Sequence, residues 1–373
     1  MNIIDEISSS KTLEINALAS KLKSEGKDVI NLTAGEPDFP TPDVIKQKAH
    51  EALDINFTRY TDSKGIVQLR ETISKIMQQK GFNFSKDEII VTNGGKQALF
   101  NAVLSTVDKD EEVILISPYW VSYPPMIMLA GASIKVLNTT FEEGFVPNIE
   151  ELKALISDKT KAIIINSPNN PTGVIYPEEV LRKIAEIANK NKIFVLADDV
   201  YDSLVYDGKY TSIANFVDPE YLIYINAFSK SHAMTGWRVG YIATKNKKIY
   251  KRIAKIQAHT TSSVNSIAQY AASFALEADT SYMFEEFKKR RDFTIEMAQK
   301  IGLEFVKPNG AFYLFFKSPM ENDEEFCKKL LEEKLVALVP GSAFMAPGFV
   351  RMSFANSLEA INEAFNRIKE FLE

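Results

Sequence analysis

Seven short runs of β-prone residues recur through the middle of the chain. They are "EIIVTN" (88–93), "EVILIS" (112–117), "SIKVLN" (133–138), "KAIIIN" (161–166), "KIFVLAD" (192–198), "LIYIN" (222–226) and "RVGYIA" (238–243). Several are apolar almost without a break. A strand with one wet face alternates apolar and polar residues, whereas a continuously apolar strand has to be covered on both faces. Helical patterns fill the spaces between runs at 96–106, 178–190 and 247–257. Alternating strands and helices predict an α/β sheet of mostly parallel strands between layers of helix.

Beyond Lys307 the pattern changes. The runs "FYLFF", "VALVP" and "FVRMSFA" read as strands of a smaller α+β unit. Helices over 265–277 and about 280–301 lead into it, and helices near 323–333 and 357–372 would cover it. The stretch up to Pro42 is too short for a core of its own, so it is expected to join this C-terminal unit. A chain of 373 residues is long for one core. The expected division is an arm and part of the small domain over 1–44, a large domain over 45–285 and the small domain over 286–373.

Composition removes several classes of function. A net charge of −5 weighs against a nucleic-acid surface, which needs a basic footprint. One cysteine, Cys327, excludes an intrachain disulfide and a CxxC pair, and fits a reducing, cytoplasmic setting. The three histidines, His50, His232 and His259, stand far apart and outside any HExxH pattern, so no metal site is expected. No secretory h-region opens the sequence, and no apolar run reaches bilayer-spanning length, so no membrane role is expected.

In an open α/β sheet, ligands bind where strands end at their carboxyl side. Site residues are therefore expected just past the end of each run. "EIIVTN" enters Gly94-Gly95-Lys96 and a helix, a turn whose N–H groups suit a phosphate, although two glycines alone more often make a plain tight turn. It is not a P-loop, because Gln97 stands where Ser or Thr must hold magnesium, and no G-x-G-x-x-G follows any run. "EVILIS" leads to Trp120, an aromatic for stacking on a flat ring or for the core. "KAIIIN" leads to "SPNNPTG", where Asn170 either makes a turn or points an amide into a site. "KIFVLAD" ends in Asp198, with Tyr201 close behind. A carboxylate at the end of an apolar strand caps a helix or meets a cation. "LIYIN" leads to Lys230, and Arg238 follows eight positions later after Gly236 and Trp237. Together these residues ask for one ligand. It has a phosphate, a flat ring with a cationic nitrogen, a ring oxygen and a group that reacts with an amine. Pyridoxal 5′-phosphate has all of these.

The segments "LTAGEPDFPTP", "RYTDSKGIVQLRE", "VTNGGKQALFN", "SPYWVSYP", "NSPNNPTGVIYP", "ADDVYDSLVYDG", "FSKSHAMTGWRVGY", "NGAFYLF" and "FVRMSFA" span almost the whole chain. In their order the chain resembles the fold-type I pyridoxal-phosphate aminotransferases of class I/II. Within them it is most similar to the bacterial aspartate aminotransferases that lack the usual arginine for a distal carboxylate. The resemblance implies a large domain with a mostly parallel, mixed seven-stranded sheet between helices, plus a smaller α+β domain from both chain ends.

By this resemblance Lys230 binds the cofactor covalently and is the catalytic base, Asp198 pairs with the pyridine nitrogen, and Arg238 binds the phosphate beside the Gly94-Gly95-Lys96 turn. Tyr201 and Asn170 approach the ring 3-oxygen, and Trp120 stacks on the ring. Arg351 holds the substrate α-carboxylate, with Asn170 and Gly35 nearby. Tyr60 reaches the phosphate of a neighbouring subunit's cofactor, which implies a homodimer with shared sites. Lys96 and Thr12 handle a second, distal carboxylate. A lysine at a helix start also opposes the helix dipole, a mild cost that favours a functional role. Two departures stand out. Ala227 replaces a phosphate-binding Ser of many relatives, leaving Ser229 or a backbone group for that contact, and "ADDVY" replaces the common "SDEIY". The expected reaction is transamination between L-aspartate and 2-oxoglutarate. The alternatives are a mixed aspartate/prephenate enzyme, an aromatic or alanine aminotransferase, or a C–S β-lyase on the same scaffold.

Overall fold

A computed structural model describes residues 3–7 and 11–373, with residues 3 and 11–13 described by their backbone alone. A two-residue strand, β1 (Ile30–Asn31), comes first. The seven apolar runs then form β2 (Ile89–Asn93), β3 (Glu112–Ile116), β4 (Ser133–Leu137), β5 (Thr160–Asn166), β6 (Phe194–Asp198), β7 (Leu222–Ala227) and β8 (Val239–Ala243). They make one sheet in the order β2-β8-β7-β6-β5-β3-β4. Strands β4, β3, β5, β6 and β7 pair in parallel, and β8 runs antiparallel to both β7 and β2. This is the mixed, mostly parallel sheet expected from the sequence.

The unbroken apolar runs follow from burial on two sides. Along β5, Ile163 and Ile165 face one core while Ala162 and Ile164 face another. Helices Val67–Gln79, Glu178–Asn191 and Ser266–Ala272 supply the first core, through Leu69, Ile73, Leu181, Ile184 and Ala268. Helices Gly94–Thr106 and Lys247–Thr260 supply the second, through Ala98, Ala102 and Ile253. Ile163, Ile164 and Ile165 are at most 3% exposed, and burying each contributes about 1.5–3 kcal/mol. Helix Glu178–Asn191 shows the matching helical period. Its buried residues Leu181, Ile184, Ala185 and Ala188 form one stripe, with Glu178 and Glu179 in the first turn, where the helix dipole favours acids.

The C-terminal strands are β9 (Tyr313–Lys317), β10 (Val336–Ala337), β11 (Val339–Pro340) and β12 (Phe349–Ser353). Strands β11, β12 and β9 form an antiparallel sheet, and β1 pairs in parallel with β10. The run "VALVP", expected as one strand, changes partner at Leu338. Its first half pairs with β1 and its second half with β12. Ile30 and Leu32 share a core with Phe312, Leu314, Phe316 and Phe365. Helix Leu358–Leu372 covers that core with Ile361, Ala364, Phe365 and Ile368, and Ser357 caps it by accepting from Ala360 N at 3.2 Å. Helix Lys11–Ser24 was not expected from the sequence.

Sheet direction positions the site. Parallel strands bring Ile116, Asn166, Asp198 and Ala227 to one edge of the sheet. Because β8 runs the other way, its first residue lies at that same edge, with Val239 opposite Asn93. Gly240 lies under the Gly94-Gly95 turn. A Cβ there would stand 2.6 Å from both Gly94 C and Gly95 N. Gly240→Ala is therefore expected to destabilise the fold by about 1–3 kcal/mol, because backbone rather than a flexible side chain must move. Chemical denaturation reads this out; an unchanged midpoint would contradict the close packing of that turn.

Candidate active site

A cavity of about 520 Å³ opens at this sheet edge, between the large sheet and the β9–β12 sheet. Its floor is made by strand ends. Asp198 closes β6 and is 4% exposed. Its Oδ2 accepts a hydrogen bond from the Tyr123 hydroxyl at 2.6 Å. Burial pushes its pKa up to about 6, against the opposing pull of the Tyr123 and Val200 hydrogen bonds and of Lys230. Asn166, ending β5, gives Nδ2 to the Asp198 carbonyl at 2.9 Å and takes the Asn170 N–H on Oδ1 at 2.9 Å. One side chain thus orients both the carboxylate strand and the asparagine turn.

Lys230 hangs from the short helix Phe228–Ser231 that follows β7. Its Nζ donates to the Gly35 carbonyl. Burial pulls its pKa down to about 8; Glu36 and Asp198 oppose this shift, and Arg238 and Arg351 add to it. The amine therefore holds its proton more weakly than an ordinary lysine does. Arg238 precedes β8 with a φ of 58°. Its Nη1 donates to the Thr235 carbonyl at 2.8 Å and its Nη2 to the Asn93 carbonyl at 3.3 Å. The guanidinium lies so close over Gly94 that a Cβ there would meet Nη2 at 2.4 Å, and Gly94 has a φ of 77°. Glycine at this position satisfies both constraints.

Arg351 enters from β12 on the opposite wall and is 3% exposed. Its Nη1 donates to Asn170 Oδ1 at 2.9 Å and its Nη2 to the Thr33 carbonyl at 2.7 Å. The Tyr313 and Phe344 rings hold it at 4.5 and 4.9 Å. Nε has no partner among the described residues. Burial lowers the pKa of this arginine. Tyr201 and Tyr313 share a hydroxyl contact at 2.8 Å, and burial raises the pKa of both. Gly35 faces the same hydroxyl, since a Cβ there would lie 2.8 Å from Tyr313 Oη.

At the mouth, Lys96 Nζ donates to Ser122 Oγ at 3.2 Å and lies 4.9 Å from the Trp120 ring centroid. Burial, with Arg238 nearby, lowers its pKa. The fold therefore brings Gly35, Gly95, Lys96, Trp120 and Asn170 into one cavity with Asp198, Tyr201, Lys230, Arg238 and Arg351. Ser229 lines the cavity as well. Gly94 reaches it through the Arg238 guanidinium. Tyr60 does not join them and is 91% exposed. The Thr12 side chain lies outside the described residues.

Sequence reasoning missed Tyr123, Asn166, Ser122 and Tyr313, and also Glu36, whose Oε2 accepts from Thr235 Oγ1 at 2.8 Å. Asn166 carried a readable signal, since it ends an apolar run as Asp198 does. The tyrosines carried none, because their partners are distant in sequence.

The family described as aminotransferase class I and II matches residues 27–368. The chain belongs to this family. An aspartate aminotransferase from Thermotoga maritima is 52% identical over 371 residues, covering 99% of this chain and 98% of the relative. An aspartate/prephenate aminotransferase from Thermus thermophilus is 42% identical, covering 97% of this chain and 96% of the relative. The crystal structure of the Thermotoga maritima aspartate aminotransferase superposes with a TM-score of 0.96 at 51% identity, covering 100% of this aminotransferase and 99% of that chain. Among the described residues, no cluster of metal-ligating side chains occurs and no helix is long and apolar enough to cross a membrane.

Proposed function

We propose that this aminotransferase exchanges the amino group of L-aspartate with 2-oxoglutarate, using pyridoxal 5′-phosphate held at the sheet edge. The reading rests on one observation: a weakly basic, partly buried lysine, a buried carboxylate and a buried arginine converge in one cavity. The residues fit the cofactor. Asp198 is a buried carboxyl held up near pKa 6 by its surroundings, which a cationic ring nitrogen would relieve. Arg238 with the Gly94-Gly95 turn forms a cationic, N–H-rich corner for a phosphate, with Ser229 beside it in place of a hydroxyl at Ala227. Trp120 offers a flat face, and Tyr201 and Asn170 would hold the ring oxygen.

When bound, the cofactor supplies an aldehyde for the amine and a ring that takes up electrons when the substrate loses its α-proton. Lys230 would hold it and, once freed by the incoming amino acid, take the proton from the substrate Cα. A pKa near 8 leaves a useful fraction of free base at neutral pH. Arg351 would grip the α-carboxylate with its planar fork. Its own orientation is set by Asn170, Thr33 and two rings before substrate arrives. That fixed grip selects which Cα bond faces the lysine.

Lys96 supports a dicarboxylate substrate, since it presents an ammonium at the cavity mouth over Trp120. Thr12 is its proposed partner. The names of the relatives support aspartate, and prephenate, which also bears two carboxylates, is the second substrate to test. Lys96→Met is expected to lower kcat/KM for aspartate by about tenfold to a hundredfold and to change alanine by less than about threefold. Stopped-flow half-reactions with aspartate, glutamate, alanine, phenylalanine and arogenate check this, and equal losses for aspartate and alanine would remove the dicarboxylate assignment. Pyruvate release from cystathionine would instead mark a β-lyase.

The same reading makes the active form a homodimer, because Tyr60 stands free on its own chain to reach a neighbouring subunit's phosphate site. It also treats 45–285 as the large domain, and 1–44 with 286–373 as the small one. The shared core of Ile30 and Leu32 with Phe312 and Phe316 supports that grouping.

A further inference from the structure

Two asparagines flank the end of β6. Asn166 on β5 gives its amide to the carbonyl of Asp198, and Asn226 on β7 gives its amide to the carbonyl of Asp199, each at 2.9 Å. Successive carbonyls of one strand point to opposite sides, so each is met by the strand on its own side. Asn166 is accounted for by the site, because it also orients Asn170. Asn226 is not. It is 3% exposed and does not line the cavity. Its Nδ2 is also 3.0 Å from Asp202 Oδ2 and 3.1 Å from Tyr224 Oη. Tyr224 Oη gives to the same Asp202 oxygen at 3.2 Å. Lys80, the residue that closes helix Val67–Gln79, pairs with that oxygen too. Asp202 is 4% exposed at its side chain and Lys80 33%. Burial works against the Lys80 charge, and Asp202, with Tyr241 and Asp199, more than offsets it, leaving the lysine pKa raised.

We propose that Lys80, Asp202 and Asn226 are positioning residues that hold Lys230 in register with Asp198. The inference rests on the reading of Lys230 as the base and Asp198 as the ring partner. The backbone ladder between β6 and β7 runs out where Asp199 N–H gives to the Ile225 carbonyl at 3.0 Å. Past that point one chain turns to carry Tyr201 and the other coils into the helical turn that carries Lys230. Asn226 adds a side-chain crosspiece beyond the last backbone bond. Asp202 and Lys80 fix the crosspiece in orientation and tie it to a rigid helix. A lysine that would take a substrate proton beside a cofactor held by Asp198 depends on the spacing of these two strand ends, and a misplacement of about 1 Å costs about a hundredfold in rate.

The test compares Asn226→Ala, Asp202→Asn, Lys80→Met and Lys80→Arg as holoenzymes. The first three are expected to lower kcat by about tenfold to a hundredfold while KM for the amino donor stays within about twofold. They should also shift the pH at which the bound-cofactor absorbance changes. Lys80→Arg should keep both properties near wild type, and Asn226→Ala combined with Asp202→Asn should be less than additive. Lowered thermal stability with kcat and absorbance unchanged would overturn the proposal and leave a structural network only. If Asn226→Ala does not fold, Lys80→Met carries the test, since its side chain is partly exposed. Loss of turnover in Lys230→Ala with none in the network variants refutes this inference alone, whereas near-normal turnover in Lys230→Ala removes the reading beneath it.

Discussion

Lys230→Ala is expected to lower turnover by roughly 10⁴-fold or more, because on the proposed reading one substitution removes both the covalent anchor and the base. The bound cofactor should lose the absorbance that reports its link to the lysine. Stability should not fall with activity. An amine whose pKa is pulled down to about 8 by burial is a group that the fold holds at a cost. Thermal unfolding of the cofactor-free protein checks that part. Turnover within about tenfold of wild type would remove Lys230 from the mechanism, since positioned general bases contribute about 10²–10⁴-fold.

Arg351→Lys is expected to raise KM for the amino donor by about tenfold to a hundredfold, the equivalent of about 1.5–3 kcal/mol for a lost charge-assisted pair. A lysine has no planar fork, and it would not satisfy Asn170 Oδ1 and the Thr33 carbonyl while also meeting a carboxylate. Cofactor affinity should change little, because Arg351 stands on the opposite wall from the Gly94-Gly95 turn. Initial rates against donor concentration, with a separate cofactor titration, distinguish the two effects. Equal weakening of both would show that Arg351 does not act as a carboxylate clamp.

Much of the large sheet was legible because its strands are buried on both faces and so are written as apolar runs. The strand ends were legible for the complementary reason. A charged residue such as Asp198 stands out where an apolar strand stops. Arg351 was different. It sits inside β12, where a lone polar residue reads as an ordinary outward position, and only the family resemblance singled it out. Tyr123 left no mark, because its meaning depends on a carboxylate 75 positions away. The split of "VALVP" was hidden as well, since a change of strand partner leaves no trace in an apolar pattern. Helix Lys11–Ser24 has little apolar periodicity to find. Among its residues with described side chains, Ala19 alone is buried in the core, against Val29, Leu331 and Ala337.

The reversed direction of β8 has a consequence for how this chain tolerates change in length. A parallel return would need a crossover of about a dozen residues or more. The reversal lets the chain pass from Lys230 to Arg238 in eight positions along one edge of the sheet. On the proposed reading, that segment is a ruler between two anchor points, one chemical and one electrostatic. Surface connections elsewhere can absorb insertions at small entropic cost. An added residue between Ser231 and Trp237 would lengthen the ruler itself. Variants and chimaeras of this enzyme should therefore accept indels in most surface loops and reject them here.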